Sequence, residues 1–155
     1  MAPTAQEIKQ LLEAHIAQDL EAKKGPAGKL TQPGLLTDHF HENVEFKING
    51  QEFHLATHLK GAEKIKAEAT SGSLAEIPNV IDYSKPADCQ VLEVIGGGPQ
   101  SEWAAAVLTA TATTFSGKSF NHEWVVTFQF DSDGKILHMK TYADTLHIHN
   151  ILQGN

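Results

Sequence analysis

Apolar residues recur along the first stretch of the chain at Ile8, Leu11, Leu12, Ile16 and Leu20, with His15 on the same stripe. Steps of three and four place them on one helix face. Thr4-Ala5-Gln6-Glu7 has the capping-box pattern and predicts the start of that helix, and Gly25-Pro26-Ala27-Gly28 predicts its end. Leu35 to His41 reads as a short helix. The period then drops to two, with Val44, Phe46 and Ile48 sharing one face of a strand. Asn49-Gly50 turns the chain, and the polar stretch Gln51 to Lys60 reads as a loop. Gly61 to Ala69 reads as a second long helix, broken at Ser71-Gly72-Ser73.

The rest of the pattern is mostly β. Val80 to Ser84, Cys89 to Ile95, Glu102 to Phe115, Phe120 to Phe130 and Lys135 to Tyr142 have strand character. Gly96-Gly97-Gly98-Pro99, Ser116-Gly117-Lys118 and Asp131-Ser132-Asp133-Gly134 punctuate them as loops or hairpin turns. The glycine run lacks the strand-to-helix context of a phosphate cradle. Asp144 can cap a last helix through Leu152. With no repeat or linker, residues 1–155 read as a single α+β domain, its helices packed on one face of a curved antiparallel sheet.

Composition narrows the function. Nineteen acidic residues against twelve lysines give a net charge of −7, which disfavours nucleic acid and anionic membrane as partners. There is no arginine, so bidentate guanidinium recognition of phosphate or carboxylate is absent. A single cysteine, Cys89, excludes an intrachain disulfide. With no apolar run of bilayer length and no secretory leader, the expected setting is cytoplasmic. Nine histidines stand out, so histidine and carboxylates are the expected acid–base tools.

The order of elements, with Phe128-Gln129-Phe130-Asp131-Ser132-Asp133-Gly134-Lys135-Ile136 followed by Lys140-Thr141-Tyr142-Ala143-Asp144, resembles the nuclear transport factor 2-like superfamily. Those stretches are similar to the ending of SnoaL-type cyclases and of ketosteroid isomerases. Pro3 to Ile8 with Leu11, Leu12, His15 and Ile16 is similar to a ketosteroid isomerase first helix. The resemblance covers nearly the whole chain and implies a cone of sheet and helices around an apolar pocket. It also implies a homodimer and catalysis without cofactor. The departures are specific. The aspartate position of ketosteroid isomerases falls on Phe46, a pocket-wall position, and the first-helix tyrosine falls on His15. The glutamate often found before Tyr-x-Asp is Thr141. The Asp-Arg-Asp set of limonene-epoxide-hydrolase-like members cannot be built without arginine.

Four residues are candidates for chemistry. His122 opens the alternating run His122, Trp124, Val126, Phe128, Phe130, on the face that lines the pocket by resemblance. There an imidazole serves as base and then acid, or else is a hydrogen-bonded structural histidine or one at an exposed strand end. His15 on the apolar stripe is either a donor polarising a carbonyl or a buried histidine bonded to backbone. Glu68 either pairs with His122 or His15 or is solvated beside Glu63, Lys64 and Lys66. Asp144 either reaches the pocket rim or caps the last helix, the cap being favoured.

Trp103, Trp124, Tyr83, Met139, Thr109, Thr111 and Thr141 are expected wall residues. His54 and His58 fall in the segment that covers the entrance in the family, as lid residues or proton shuttles. Their spacing is a weak metal signal without a third ligand, as is His147-x-His149, and no metal is expected. Cys89 has no cationic neighbour in sequence to make it nucleophilic.

These readings converge on a cofactor-free isomerase, cyclase or dehydratase. His122 is base or shuttle, His15 a donor, and Glu68 or Asp144 orients an imidazole. The ligand would be an apolar oxygenated small molecule such as a secondary-metabolite intermediate. The alternative is a non-catalytic ligand-binding or dimerisation module. The outer sheet face around Val125 and Thr127 is the expected homodimer surface.

Overall fold

The structure is a computed structural model that describes residues 1–23 and 36–154. The predicted helix end at Gly25 to Gly28 lies outside the described residues, as does Leu35. Helix α1 (Ala5–Lys23) starts where the capping box places it. The Thr4 amide donates to Glu7 Oε2 at 2.7 Å, and the Glu7 amide donates to Thr4 Oγ1 at 3.3 Å. Its buried face runs Ile8, Leu12, Ile16, Asp19, Lys23, so the stripe ends in two charged residues.

A single 3-10 turn, Thr37–His39, leads into β1 (Phe40–Ile48). The expected helix from Leu35 to His41 is therefore not formed. Phe40 pairs with Ile136, and that ladder overrides the helical spacing of Leu36 and Phe40. The expected loop from Gln51 to Lys60 ends in a short edge strand, β2 (Thr57–Lys60), paired with β1. Helix α2 (Ala62–Ser71) and the five-residue α3 (Glu76–Val80) follow. The strand expected from Val80 to Ser84 is reduced to one bridge between Ile81 and Thr114. Val80 closes α3, and Asp82 Oδ1 accepts from the Ser84 amide at 3.0 Å, turning the chain before a strand can extend.

The remaining elements are β3 (Asp88–Gly96), β4 (Trp103–Thr113), β5 (Ser119–Phe130), β6 (Ile136–Tyr142) and α4 (Thr145–Leu152). Together with β1 and β2 they form one six-stranded sheet in the order β2-β1-β6-β5-β4-β3. All neighbours are antiparallel except β1 and β6, which run parallel, so the sheet is mixed rather than antiparallel throughout. These two strands lie far apart in sequence, which frees the pair from hairpin geometry. Register shifts at Phe40/Glu45, Val91/Glu93 and Gln129/Phe130 mark irregularities of the kind that bend a sheet.

One face of the sheet carries the core. Val44, Phe46 and Ile48 of β1 and Trp124, Val126 and Phe128 of β5 pack with Ile8, Leu12 and Ile16 of α1 and Ile65 and Ala69 of α2. The β3–β4 connection is tied to the N-terminus, where the Gly98 amide donates to the Pro3 carbonyl at 2.8 Å. Gly97 is required there: its φ is +78°, and a Cβ would stand 2.4 Å from the Pro3 oxygen.

Candidate active site: an apolar cavity around His122

Three rows of the inner face floor the cavity. Strand pairing aligns Cys89, Ala110 and His122 across β3, β4 and β5, and sets Phe120 opposite Ala112 and Trp124 opposite Leu108. The two alanines place methyl groups where larger residues stand on either side. The resulting cavity of about 100 Å³ is closed by Leu20 of α1, Phe53 and Leu55 before β2, Ile77 and Pro78 of α3, Tyr83, and Ile148 of α4. That is room for several waters or a small organic molecule. The alternation of β5 made Trp124 and His122 legible, whereas Ala110 and Ala112 are silent in sequence because alanine carries no pattern signal.

His122 is the polar centre of this wall, only 7 % exposed. Its ring lies flat on Trp124, with centroids 5.0 Å apart and planes at 8°. Phe120 packs at 5.7 Å, and His147 of α4 is stacked at 6.4 Å. The buried Nδ1 has no hydrogen-bond partner among the described residues. Burial pushes the imidazole pKa down to about 4, with His147 nearby adding to the effect and the Asp144 carboxylate opposing it. The ring is therefore neutral at physiological pH, with a lone pair available in an apolar surrounding.

Asp144 is the N-cap of α4, accepting from the His147 amide at 3.1 Å. His147 in turn accepts the Asn121 amide on Nε2 at 3.2 Å, which fastens α4 to the start of β5 beside His122. Thr109 Oγ1 donates to the His122 carbonyl at 3.1 Å, a strand-to-strand tie rather than a cavity contact. Thr141, Thr111 and Tyr83 line the cavity. Cys89 does too, but burial pushes its thiol up to about 12, so it stays protonated.

The other candidates lie elsewhere. His15 is half-buried on α1, whose cavity residue is Leu20, more than a turn further on. Glu68 accepts from the Ser73 amide at 3.1 Å and holds the turn after α2. Phe46 and Met139 are paired neighbours buried in the core, 1 % and 3 % exposed. Trp103 is on the outer face, 48 % exposed and stacked on His138. His58 bonds Glu45 at 2.8 Å beside the same outer groove, while His54 bonds Glu76 at 3.1 Å, so the two take different partners. No three His, Cys, Asp or Glu side chains among the described residues converge as a metal site.

One polar feature was missed by sequence reasoning. Lys23 Nζ and Asp19 Oδ2 form an ion pair at 2.6 Å with both side chains at most 2 % exposed. Spaced four apart on a helix, they carry the ordinary signature of a solvated pair. The ammonium also sits 5.0 Å from the centroid of the Tyr83 ring.

No family model and no curated protein matches the chain. Solved structures do match. An NTF2-like protein of unknown function from Burkholderia pseudomallei is 17 % identical with a TM-score of 0.59, over 92 % of this chain and 97 % of its own. TerC, co-crystallised with polyporic acid, is 18 % identical with a TM-score of 0.59, over 92 % of this chain and 98 % of its own. SalBIII, an epoxide hydrolase/cyclase-like enzyme in pyran ring formation in the polyether salinomycin, is 14 % identical with a TM-score of 0.53, over 92 % and 94 %. Among the described residues, four helices on an open six-stranded mixed sheet, with an apolar cavity beneath them, give this chain the NTF2-like fold.

Proposed function

We propose that the chain is a cofactor-independent isomerase, cyclase or dehydratase for an apolar, oxygenated small molecule, with His122 as the proton-transferring group. The observation that carries this reading is a neutral imidazole, 7 % exposed, in the wall of an apolar cavity, with its buried nitrogen unpartnered among the described residues. Two proteins of the same fold lend support: TerC was co-crystallised with polyporic acid, and SalBIII is an epoxide hydrolase/cyclase-like enzyme in pyran ring formation.

The electrostatics define what such a group does. An imidazole held near 4 is free base at any physiological pH, and its imidazolium, once formed, is a strong acid in that surrounding. It therefore removes only a proton that the substrate itself acidifies, such as one on carbon beside a carbonyl, and returns it readily. The Asp144 carboxylate favours the transient imidazolium and His147 opposes it. His15 and Glu68, which do not line the cavity, carry no step in this scheme.

The test is catalysed exchange. A panel of neutral enolisable carbonyl compounds is incubated in heavy water with the protein, and deuterium on carbon is followed by NMR. Exchange above buffer in the native chain, lost in His122→Ala, is the expected result. Exchange unchanged by His122→Ala would overturn the assignment.

The low pKa of His122 also favours a second reading, a non-catalytic binding module, since a weak base is a better acceptor than proton carrier. Binding without exchange would select it. In either reading we assign the outer face to a homodimer and the setting to the cytoplasm. Trp103 and Tyr142 are 48 % and 41 % exposed on that face beside Thr127, around a groove crossing β1, β6, β5 and β4. Among the described helices none is long and apolar enough to cross a membrane.

A further inference from the structure

Tyr83 lies outside the machinery assigned to His122. It follows α3 in the segment leading to β3, lines the cavity, and packs, as Ala110 and Ala112 do, against the cluster of Ile81, Phe120 and Ile151. Its hydroxyl makes no hydrogen bond to another described residue. Burial, reinforced by the negative charge of Asp19, raises its pKa far above the usual phenol range, so the group is a permanent donor. Beneath the ring lies the Lys23 ammonium, 5.0 Å from its centroid and held by Asp19. Burying two charges is costly, and two apolar residues would fill the same space at least as well. The Lys23 ammonium braces the ring from the side of α1.

The rest of the lining sharpens the case. Among the described lining residues the one carboxylate is Asp88, at the exposed start of β3, and its sign repels anions. Thr111 and Thr141 are the hydroxyls besides Tyr83. We propose that Tyr83 is a specificity-determining residue of the cavity, donating a hydrogen bond to the carbonyl oxygen of a neutral ligand whose dissociable hydrogen faces His122. In this arrangement Asp19 and Lys23 are positioning residues for Tyr83. The proposal rests on His122 as the proton acceptor, and its test separates the two.

Calorimetric titration of the full chain with three neutral probes decides the matter. para-Hydroxyacetophenone carries both groups, para-ethylphenol only the hydroxyl, and toluene neither. Tyr83→Phe should weaken para-hydroxyacetophenone about tenfold, the upper range for one hydrogen bond, and leave para-ethylphenol within about twofold. The paired replacement Asp19→Leu/Lys23→Met should weaken para-hydroxyacetophenone in the native background but not when Tyr83 is already Phe. Equal weakening of both phenols by Tyr83→Phe, or none, overturns the role of Tyr83. If Tyr83→Phe discriminates but His122→Phe leaves para-ethylphenol unaffected, Tyr83 stands and the assignment of His122 falls. Failure of all three probes to bind the native chain overturns both.

Discussion

His122 and Trp124, two positions apart on β5, lie ring on ring with centroids 5.0 Å apart and planes at 8°. The indole covers one face of an imidazole whose other ring neighbours are Phe120 and His147, so burial leaves a positive charge there poorly hydrated. With a folded pKa of about 4 against 6.5 in an open chain, the unfolded state binds the proton first as pH falls. The contribution of His122 is therefore fully present above about pH 6.5 and is lost progressively as pH falls through about 4. The loss is on the order of 3 kcal/mol. Urea unfolding at pH 7.5, 5.5 and 4.5 should show a shallower pH dependence in His122→Phe than in the native chain. Parallel curves would contradict the burial argument.

Ala110 stands between Cys89 and His122 in the cross-strand row, and its small side chain keeps the cavity open. Ala110→Leu should fill that space, stabilise the fold by about 1 kcal/mol as cavity-filling changes do, and abolish probe binding. Thermal melting and calorimetry read the two effects separately. Retained binding would place the ligand elsewhere.

The buried Asp19–Lys23 pair makes asymmetric predictions. Removing one partner, as in Asp19→Ala, takes away the carboxylate 2.6 Å from the buried ammonium and should cost roughly 3–5 kcal/mol. Replacing both by Leu and Met should be close to neutral or stabilising. Equal destabilisation by the single and the paired change, measured by urea unfolding, would show that the two charges do not act as a pair.

On the outer face, Trp103→Glu should convert a dimer to a monomer in sedimentation equilibrium while leaving probe binding in the inner cavity within about twofold, since the two sites use opposite faces of the sheet. A native chain that sediments at its single-chain mass would remove the dimer assignment.

Where one residue type and one spacing suffice, the sequence is a reliable guide to this fold. The Thr4/Glu7 box starts α1, strict alternation from Phe120 to Phe130 orients β5, and Asp131 with Gly134 turns the β5–β6 hairpin, accepting the Asp133 and Lys135 amides at 2.8 and 2.9 Å. What escapes it depends on partners distant in the chain. Phe40 joins a strand because Ile136 is beside it, and Leu59 is the one buried residue of β2. Trp103 faces outward because its place in the β4–β5 register puts it opposite Gln129, on the face away from Phe128. The candidate site divides in the same way. His122 and Trp124 follow from local alternation, while the alanine floor and the Lys23–Tyr83 contact exist only once separate elements meet.

The parallel pairing of β1 with β6 has a kinetic consequence. The strands β3 to β6 follow one another through short turns and can zip in sequence order, each closing a small loop. Phe46, by contrast, meets Met139 only after the intervening helices and strands have been gathered between them, a loop closure of high entropic cost. Ile48 and Thr141, paired in that same ladder, both line the cavity. The cavity is complete only once that ladder has closed, so its competence to bind should appear in refolding no earlier than the pairing of β1 with β6.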